Sequence, residues 1–250
     1  MNQIKPLNKK FLTIGQTAKV IGVSLDTLRR WDKAGTLKPI RFKSGGNRYY
    51  DLESIQVFMN DLFALAKIWV SSTKANEPQP YYCSDGSVFQ TRLAKLEASL
   101  RQMTGMENDC SLITASIGEI GNNSFDHNVG LWPDIRGIFF AYDINKRQIV
   151  LADRGQGILT TLKRVKPELS SDEEALLVAF TEKISGRALE SRGNGLKFVR
   201  AVITKLIQSE QIKLYFQSGS AVLNLKKGES SLAVTSSGAP FRGCMALISF

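Results

Sequence analysis

Glu119-Ile-Gly-Asn-Asn-Ser-Phe-Asp-His127 is the segment that says most about the C-terminal half of this chain. An apolar pattern with helical spacing runs into it, so we predict one helix over residues 109–127. Residues four apart lie on one face of a helix, which places Glu119 and Asn123 together, with Asn122 beside them. Carboxylate and amide oxygens are ligands that Mg²⁺ prefers, and phosphates and waters commonly complete its site. The segment therefore predicts a magnesium and phosphate site at a helix end.

Two glycine motifs follow at a distance. The apolar run 147–152 is typical of a buried strand, and Asp153-Arg-Gly-Gln-Gly157 comes directly after it. Gly193-Asn-Gly-Leu196 precedes a helix that we predict over residues 194–208, and the free amides of a helix N-terminus attract phosphates. Taken alone, each motif also fits an ordinary turn between two elements. Their order behind the polar helix favours a nucleotide site.

These three motifs together resemble the N box and the two glycine boxes of the GHKL superfamily, the ATPases with the histidine-kinase-like Bergerat fold. The resemblance implies a two-layer α/β sandwich with a mixed sheet that binds ATP or ADP with Mg²⁺. By position, Asn123 would hold Mg²⁺, Glu119 would be the catalytic base, and Asp153 would accept a hydrogen bond from adenine. The other nucleotide contacts that the resemblance implies are Asn122, His127, Gly155, Gly157, Lys183, Arg187, Arg192, Gly193, Gly195 and Leu196.

His127 is the only histidine of the chain, and it lies inside the predicted nucleotide motif. A sensor histidine kinase needs its phosphoacceptor histidine on a separate upstream helix. We therefore expect no autophosphorylation on histidine. Lys183, Arg187 and Arg192 lie in a segment, residues 158–192, that we expect to close over the phosphates.

Positive charge is concentrated in the N-terminal part. Residues 1–75 carry thirteen Lys and Arg against five Asp and Glu, a formal balance of +8 out of +10 for the whole chain. A small, strongly basic domain attracts polyanions, and neutralisation of phosphates supplies the sequence-independent part of DNA affinity. Charge alone would also fit RNA, acidic lipid or solubility.

The pattern within this basic part is that of a helix-turn-helix. We predict helices over 14–21 and 25–34, the second capped by Ser24, followed by two short strands within 37–50 that form a wing. A further helix would run from Asp51 to about Val70. Leu25-Asp-Thr-Leu-Arg-Arg-Trp-Asp-Lys-Ala-Gly35 and Gly46-Asn-Arg-Tyr-Tyr50 are similar to the winged helix of MerR regulators and excisionases. That similarity implies double-stranded DNA as the partner, contacted by Thr27, Arg29, Arg30, Arg41, Lys43 and Arg48.

The domain organisation follows from these patterns. We predict a MerR-like winged helix-turn-helix at 1–70, a polar linker at 71–86, and a GHKL-type ATP-binding domain at 87–250. Apolar residues at heptad spacing from Phe89 to Met103 fit either packing on the sheet or a homodimer contact. No apolar run has the length of a membrane span, and three scattered cysteines support no disulfide framework, so we expect a cytoplasmic protein.

The combination predicts a DNA-binding transcriptional regulator in which Mg²⁺–nucleotide modulates DNA binding, with slow ATP hydrolysis or none. DNA-binding proteins of the resembled class are usually dimers on palindromic operators. One alternative is a serine/threonine protein kinase of the anti-sigma type that acts on a partner protein. Another is an accessory DNA-binding factor of a mobile element.

Overall fold

The computed structural model describes residues 11–35, 37–42, 46–74, 76–183 and 194–250. The chain divides into two compact units, Met1–Leu65 and Ala66–Phe250, and each is described here by itself. Among the described helices, none has both the length and the apolar character needed to cross a membrane.

The first unit is a small helical domain with a two-stranded sheet. Its elements are β1 (Phe11–Thr13), α1 (Ile14–Ile21), α2 (Leu25–Ala34), β2 (Tyr49–Asp51) and α3 (Leu52–Met59), and α4 (Leu62–Ser71) contains the division between the units. β1 and β2 pair in antiparallel fashion. Leu28 and Trp31 of α2 face the core as predicted, and the Trp31 ring lies 5.4 Å from that of Phe58.

Caps explain the boundaries of the two helices of the helix-turn-helix. The Ser24 hydroxyl accepts a hydrogen bond from the Thr27 amide at 3.1 Å and so starts α2. Gly22 and Gly35 end α1 and α2 with φ of 80° and 71°, a conformation that glycine adopts without steric cost. Both helix ranges agree with the prediction.

Two local predictions for this unit are wrong. The helix expected from Asp51 to Val70 is interrupted at Asn60–Asp61, because the Asp61 carboxylate accepts the Ala64 amide at 3.0 Å and starts a new helix. In the described part of the wing, the pairing is a single bridge between Ile40 and Tyr49 instead of two paired strands. Tyr49–Asp51 pairs with β1 instead.

The second unit is an antiparallel sheet with helices packed on it. Its strands are β3 (Tyr82–Cys83), β4 (Ile138–Asp143), β5 (Gln148–Asp153), β6 (Lys213–Lys226) and β7 (Val234–Ser249). Its helices are α5 (Gly86–Arg101), α6 (Cys110–Asp126), α7 (Gly157–Leu162), α8 (Asp172–Thr181) and α9 (Gly195–Ala201), which continues as a π-helical turn, Val202–Leu206. The strand order is β3-β4-β5-β7-β6.

The core lies between one sheet face and the helices. Side chains of α5, α6, α8 and α9 pack on the face that Phe140, Leu151 and Ala246 share. The apolar seam of α5, Phe89 to Leu100, is buried within this single chain, which is the packing alternative of the two that the heptad spacing left open. The sheet and α5 thus hold the C-terminal half of α6 in place.

Several details of the second unit differ from the prediction. The expected mixed sheet is wrong for the described strands, since every pair is antiparallel: β4 and β5, and β6 and β7, are joined as hairpins. The two β-rich segments 212–217 and 221–225, which the sequence indicates as separate strands, lie in one long strand with irregular register at Ser218–Ala221. The helix predicted over 194–208 loses α-helical geometry after Ala201, and α7 was not predicted. Residues 82–83, which we assigned to the linker, join the sheet as β3.

Two glycines of α6 allow a test of its packing. A Cβ built on Gly121 would lie 2.2 Å from the Phe89 ring, whereas one on Gly118 would lie 3.5 Å from Leu93, which is an ordinary contact. Gly121→Ala should therefore destabilise the protein by about 1 to 3 kcal/mol through overpacking. Gly118→Ala should be neutral or stabilise by up to about 1 kcal/mol because alanine favours helix.

Urea unfolding of both variants checks this prediction, and Gly121→Ala combined with Phe89→Leu should recover part of the loss. Equal stabilities of the two single alanine variants would contradict the close contact between α5 and α6.

Candidate functional site

The C-terminal half of α6 meets the start of α9. A Cβ built on Gly195, the first residue of α9, would lie 2.6 Å from Glu119 Oε2 and 3.2 Å from Asn123 Nδ2. Only glycine therefore fits at this place without moving those two side chains. The predicted metal ligand, the predicted base and the second glycine motif are thus neighbours, although they are separated by some seventy residues in sequence.

Other predicted contacts lie around this point with different exposures. Asn122 is exposed, and its side-chain oxygen accepts a hydrogen bond from Gln90 Nε2 of α5 at 2.8 Å. His127 follows the last residue of α6, and its backbone oxygen accepts from Gln156 Nε2 at 3.5 Å. Leu196 is half-buried against the core, and Lys183 is exposed shortly after α8. Arg187, Arg192 and Gly193 lie outside the described residues.

Asp153 closes the other side of this region with a buried carboxylate. It is the last residue of β5 and is 2% exposed. Its Oδ1 accepts hydrogen bonds from the amides of Gly155 at 2.8 Å and Cys244 at 3.3 Å. Its Oδ2 accepts from the hydroxyl of Ser124 at 2.8 Å. Since Ser124 follows Asn123 in α6, this bond ties the end of β5 to the helix that carries the predicted metal ligand.

Burial sets the ionisation of this carboxyl group. Removal from water raises the pKa of Asp153 from 3.8 to about 6, although the hydrogen bonds from Ser124, Gly155 and Cys244 act in the opposite direction. Each carboxylate oxygen has two lone pairs, and three of the four are used by these donors. Counting donors from the described residues alone, one acceptor position on Oδ2 is left for a further donor.

The glycines beside Asp153 make room for protein groups. A Cβ on Gly155 would lie 2.2 Å from Asn128 Nδ2, and Asn128 is buried with its side-chain oxygen accepting the Gln156 amide at 2.9 Å. Gly157 has φ of 77°, and the neighbouring Ile158 amide donates to Ser218 Oγ at 2.9 Å. The first glycine motif is therefore held against α6 and the sheet by side-chain hydrogen bonds.

Sequence reasoning missed the residues that hold Asp153. Ser124 lies within the quoted motif and Asn128 directly after it, so their polar character next to an apolar helix face was the available signal. Gly243 was not detectable in this way: it has φ of 95°, and a Cβ there would lie 2.1 Å from the Asp153 carbonyl oxygen. Its role depends on the pairing of β5 with β7, which sequence spacing does not show.

The side-chain oxygens at this place determine which divalent metal ion they could bind. In the described part of the chain, no three His, Cys, Asp or Glu side chains come together to hold a metal ion. Asn123 and Glu119 supply an amide and a carboxylate at one place, beside the N-terminus of α9. Such a pair fits Mg²⁺ that retains waters and is shared with phosphates, since Mg²⁺ rarely uses an all-protein cage.

Arg154 anchors the end of α4 directly beside Asp153. Its side chain is 4% exposed, and its Nη1 donates to the backbone oxygens of Trp69 at 2.5 Å and Val70 at 3.2 Å. Its Nη2 donates to Asp134 at 2.6 Å, and Arg242 donates to the same Asp134 oxygen at 2.6 Å. Carbonyls of the last helical turn have no partner within the helix, so a cation there stabilises the helix end.

The predicted DNA contacts of the first unit divide between α2 and the wing. Arg29 and Arg30 are exposed on α2, and Arg29 pairs with Asp26 at 2.7 Å. Thr27 is half-buried, and its hydroxyl lies 2.9 Å from that of Ser24. Thr27 and Arg30 share one face of α2, where Arg30 Nη2 donates to the Thr27 hydroxyl at 3.4 Å, whereas Arg29 lies on the neighbouring face beside Asp26.

The wing arginines share one acidic partner. Arg41 and Arg48 both donate to Asp32 Oδ2, Arg48 through Nε at 2.7 Å. Lys43 lies outside the described residues. The structure therefore brings Arg41 and Arg48 together at the base of the wing, and joins both to α2.

Comparison with known proteins identifies the first unit. Residues 12–60 match the MerR HTH family of regulatory proteins. The chain is also 35% identical over 66 residues to the type II methyltransferase M.Eco47II of Escherichia coli. That similarity covers 26% of this chain and only 16% of the methyltransferase. Residues 12–60 therefore form a MerR-family helix-turn-helix domain, which indicates DNA binding and transcription regulation.

The raised pKa of Asp153 leads to a prediction about stability. Burial raises this pKa in the folded state above its unfolded value of 3.8. The contribution of Asp153 to the free energy of unfolding is therefore fully present below pH 3.8, where the group is neutral in both states, and is lost as the pH rises through about 6. Asp153→Asn keeps the Oδ1 acceptor and never ionises. It should therefore be more stable than the wild type above about pH 7, by on the order of 1 to 3 kcal/mol.

Urea unfolding of both proteins between about pH 4 and about pH 8 measures this difference, which should vanish at the acidic end. Glu168→Gln removes an exposed carboxyl group and is the matched control. Parallel pH profiles of Asp153→Asn and the wild type would contradict the burial of this carboxylate as the cause.

Proposed function

We propose that this protein is a DNA-binding transcriptional regulator whose winged helix-turn-helix is controlled by Mg²⁺–ATP or ADP bound in the second unit. Hydrolysis is slow or does not occur. The observation that carries the nucleotide site is the meeting of Glu119, Asn123 and Gly195 on one side of α6, with Asp153 joined to α6 through Ser124. This is the order of groups expected for a GHKL-type site.

On the phosphate side of the proposed site, Asn123, Glu119 and Gly195 have different roles. Asn123 supplies an amide oxygen for Mg²⁺, and Glu119 supplies a carboxylate that orients the group attacking the γ-phosphate. Gly195 leaves room for both side chains at the beginning of α9. Bound Mg²⁺ would supply charge neutralisation for the phosphates. Lys183 and, outside the described residues, Arg187 and Arg192 are the proposed phosphate contacts from the segment that precedes α9.

The adenine side depends on Asp153. The acceptor position that remains on Oδ2 fits the amino group of adenine, which donates two hydrogens. The adenine amino group, as a donor at this position, would stabilise the ionised form of Asp153. Nucleotide binding should therefore lower the pKa of Asp153, which burial raises. Without nucleotide, the ionised carboxylate of Asp153 lowers the stability of the folded protein, as residues of binding sites often do.

The DNA side depends on the family match and on charge. The MerR-family domain presents α2 with its exposed Arg29 and Arg30, and the formal balance of +8 over residues 1–75 favours a polyanionic partner. We propose that α2 enters the major groove of a palindromic operator and that the wing contacts the backbone. Binding as a homodimer would match the twofold symmetry of such a site.

Coupling between the two functions is proposed to pass through Arg154. This side chain holds the end of α4, the helix in which the chain passes from one unit to the other. It also follows Asp153 directly, so a change at the adenine contact moves the backbone that carries Arg154. A ligand shifts a conformational equilibrium only through differential contacts, and the Arg154 bonds to α4 are contacts of this kind.

Calorimetric titration with ATP and ADP tests the nucleotide site. Asn123→Ala should lower ATP affinity about ten-fold with Mg²⁺ present and have little effect when Mg²⁺ is chelated, because only the metal contact is lost. Asp153→Asn should weaken ATP and ADP alike, with or without Mg²⁺, by about 1 to 3 kcal/mol. Wild-type protein that binds neither nucleotide would refute this half of the proposal.

Operator binding with and without nucleotide tests the coupling. Arg154→Lys keeps the charge but loses the planar fork that reaches Asp134 and the α4 carbonyls together, so the nucleotide-dependent change in operator affinity should shrink toward none. Arg242→Ala is the matched control, because it removes the other partner of Asp134, and none of its bonds with described residues goes to α4.

Nucleotide affinity is measured in the same variants and should stay within about three-fold of the wild type, since neither side chain is proposed to touch nucleotide. A full response in Arg154→Lys would contradict the route through α4. No response in the wild type would contradict the coupling itself.

A further inference from the structure

An acidic side chain occupies the base of the basic wing. Asp32 lies in the last turn of α2, and its side chain is 15% exposed. A single oxygen, Oδ2, accepts hydrogen bonds from Arg48 Nε at 2.7 Å and from Arg41 Nη2. One carboxylate therefore joins the second helix of the helix-turn-helix to two arginines of the wing.

The two arginines come from opposite sides of the wing. Arg41 and Arg48 flank the turn, and the residues next to them, Ile40 and Tyr49, are paired by two backbone hydrogen bonds of 2.6 and 3.0 Å. Asp32 therefore ties both sides of the wing to α2 at the level of this bridge. The described part of the wing has this one bridge and the ring contacts of Phe42 with Phe11 and Tyr49, and the carboxylate of Asp32 adds an ionic link to them.

The charge of Asp32 is unfavourable for DNA binding when considered alone. A carboxylate near the phosphate backbone repels it, and the first unit otherwise has an excess of cations. A role that offsets this repulsion is the ordering of the arginines. A free arginine side chain loses rotamer freedom on binding, and a side chain already held in place loses less.

The bonds to Asp32 leave donors for DNA. A guanidinium has five N–H groups, and Asp32 accepts one from each arginine. Arg41 is 42% and Arg48 31% exposed, so both remain accessible while they are held. Their remaining N–H groups can meet phosphate oxygens without a search through rotamers.

We propose that Asp32 is a positioning residue for DNA binding, which holds Arg41 and Arg48 in the arrangement that contacts the backbone of a specific duplex. The inference rests on the DNA-binding half of the proposed function and is independent of nucleotide. It predicts a result opposite to that of simple electrostatics, because removal of a negative charge then weakens specific binding.

The test uses a duplex that the wild type selects from a random double-stranded library, together with a scrambled duplex of the same length. Asp32→Asn should bind the selected duplex about 5- to 100-fold more weakly, as expected from the loss of order of two long side chains. Its affinity for the scrambled duplex should not fall, since the protein has one negative charge fewer.

Glu53→Gln is the matched control. Glu53 lies in the first turn of α3, is exposed, and its side chain has no hydrogen bond or ion pair among the described residues. Loss of its charge should tighten binding to both duplexes or leave both affinities unchanged. The contrast between two neutralised carboxylates of the first unit separates positioning from net charge.

A second comparison separates positioning from folding. In a protein with Arg41→Ala and Arg48→Ala, the further change Asp32→Asn should cause no additional loss of affinity. An additional loss of the same size would mean that Asp32 supports the fold of the domain and would overturn the inference. Asp32→Asn that binds the selected duplex as tightly as Glu53→Gln does would also overturn it. A wild type that selects no duplex would overturn the DNA-binding function and the inference with it.

Discussion

The buried carboxylate of Asp153 is the constraint on which the second unit depends. Its three donors come from α6, from the glycine turn and from β7, so this one group fixes the relative position of three elements. The arrangement is costly near neutral pH, since burial raises the pKa of the group to about 6. Asparagine, which has the same shape, would keep the Oδ1 acceptor for the Gly155 and Cys244 amides without this cost, and the Ser124 hydroxyl could donate to the Ile120 carbonyl oxygen instead. The cost of the carboxylate is therefore consistent with the ligand contact that we propose for it.

α6 links this constraint to the start of α9. Ser124 binds Asp153, and its neighbour Asn123 lies beside Gly195 at the start of α9. Two successive residues of one helix thus face two different parts of the site. The close packing of Gly121 on Phe89 fixes the helix against α5, so that little freedom is left for these side chains.

The sequence predicted the elements that depend on local signals. Helices α1 and α2 agree with the prediction because caps and apolar periodicity are encoded within a few residues. The polar motif at 119–127 was placed correctly on one helix for the same reason. The interruption at Asn60–Asp61 was available from composition, but the apolar character of both flanking segments favoured one continuous helix.

Features set by tertiary contacts were not predictable in this way. The antiparallel pairing of β5 with β7, the close approach of Gly243 to Asp153, and the burial of Arg154 against α4 involve residues 84 to 101 positions apart in sequence. Arg154 at α4 and Asp32 at the wing are both charged residues in motifs whose function we predicted from other residues. From the sequence we predicted no role for these two charges, whereas the structure uses each of them to hold a neighbouring element.

The most direct test of the central claim is a crystal structure of the full chain with Mg²⁺ and a non-hydrolysable ATP analogue. The account predicts the adenine amino group within hydrogen-bond distance of Asp153 and the metal about 2.1 Å from the side-chain oxygen of Asn123. A nucleotide bound elsewhere on the protein, with Asp153 and Asn123 in their present contacts, would contradict it.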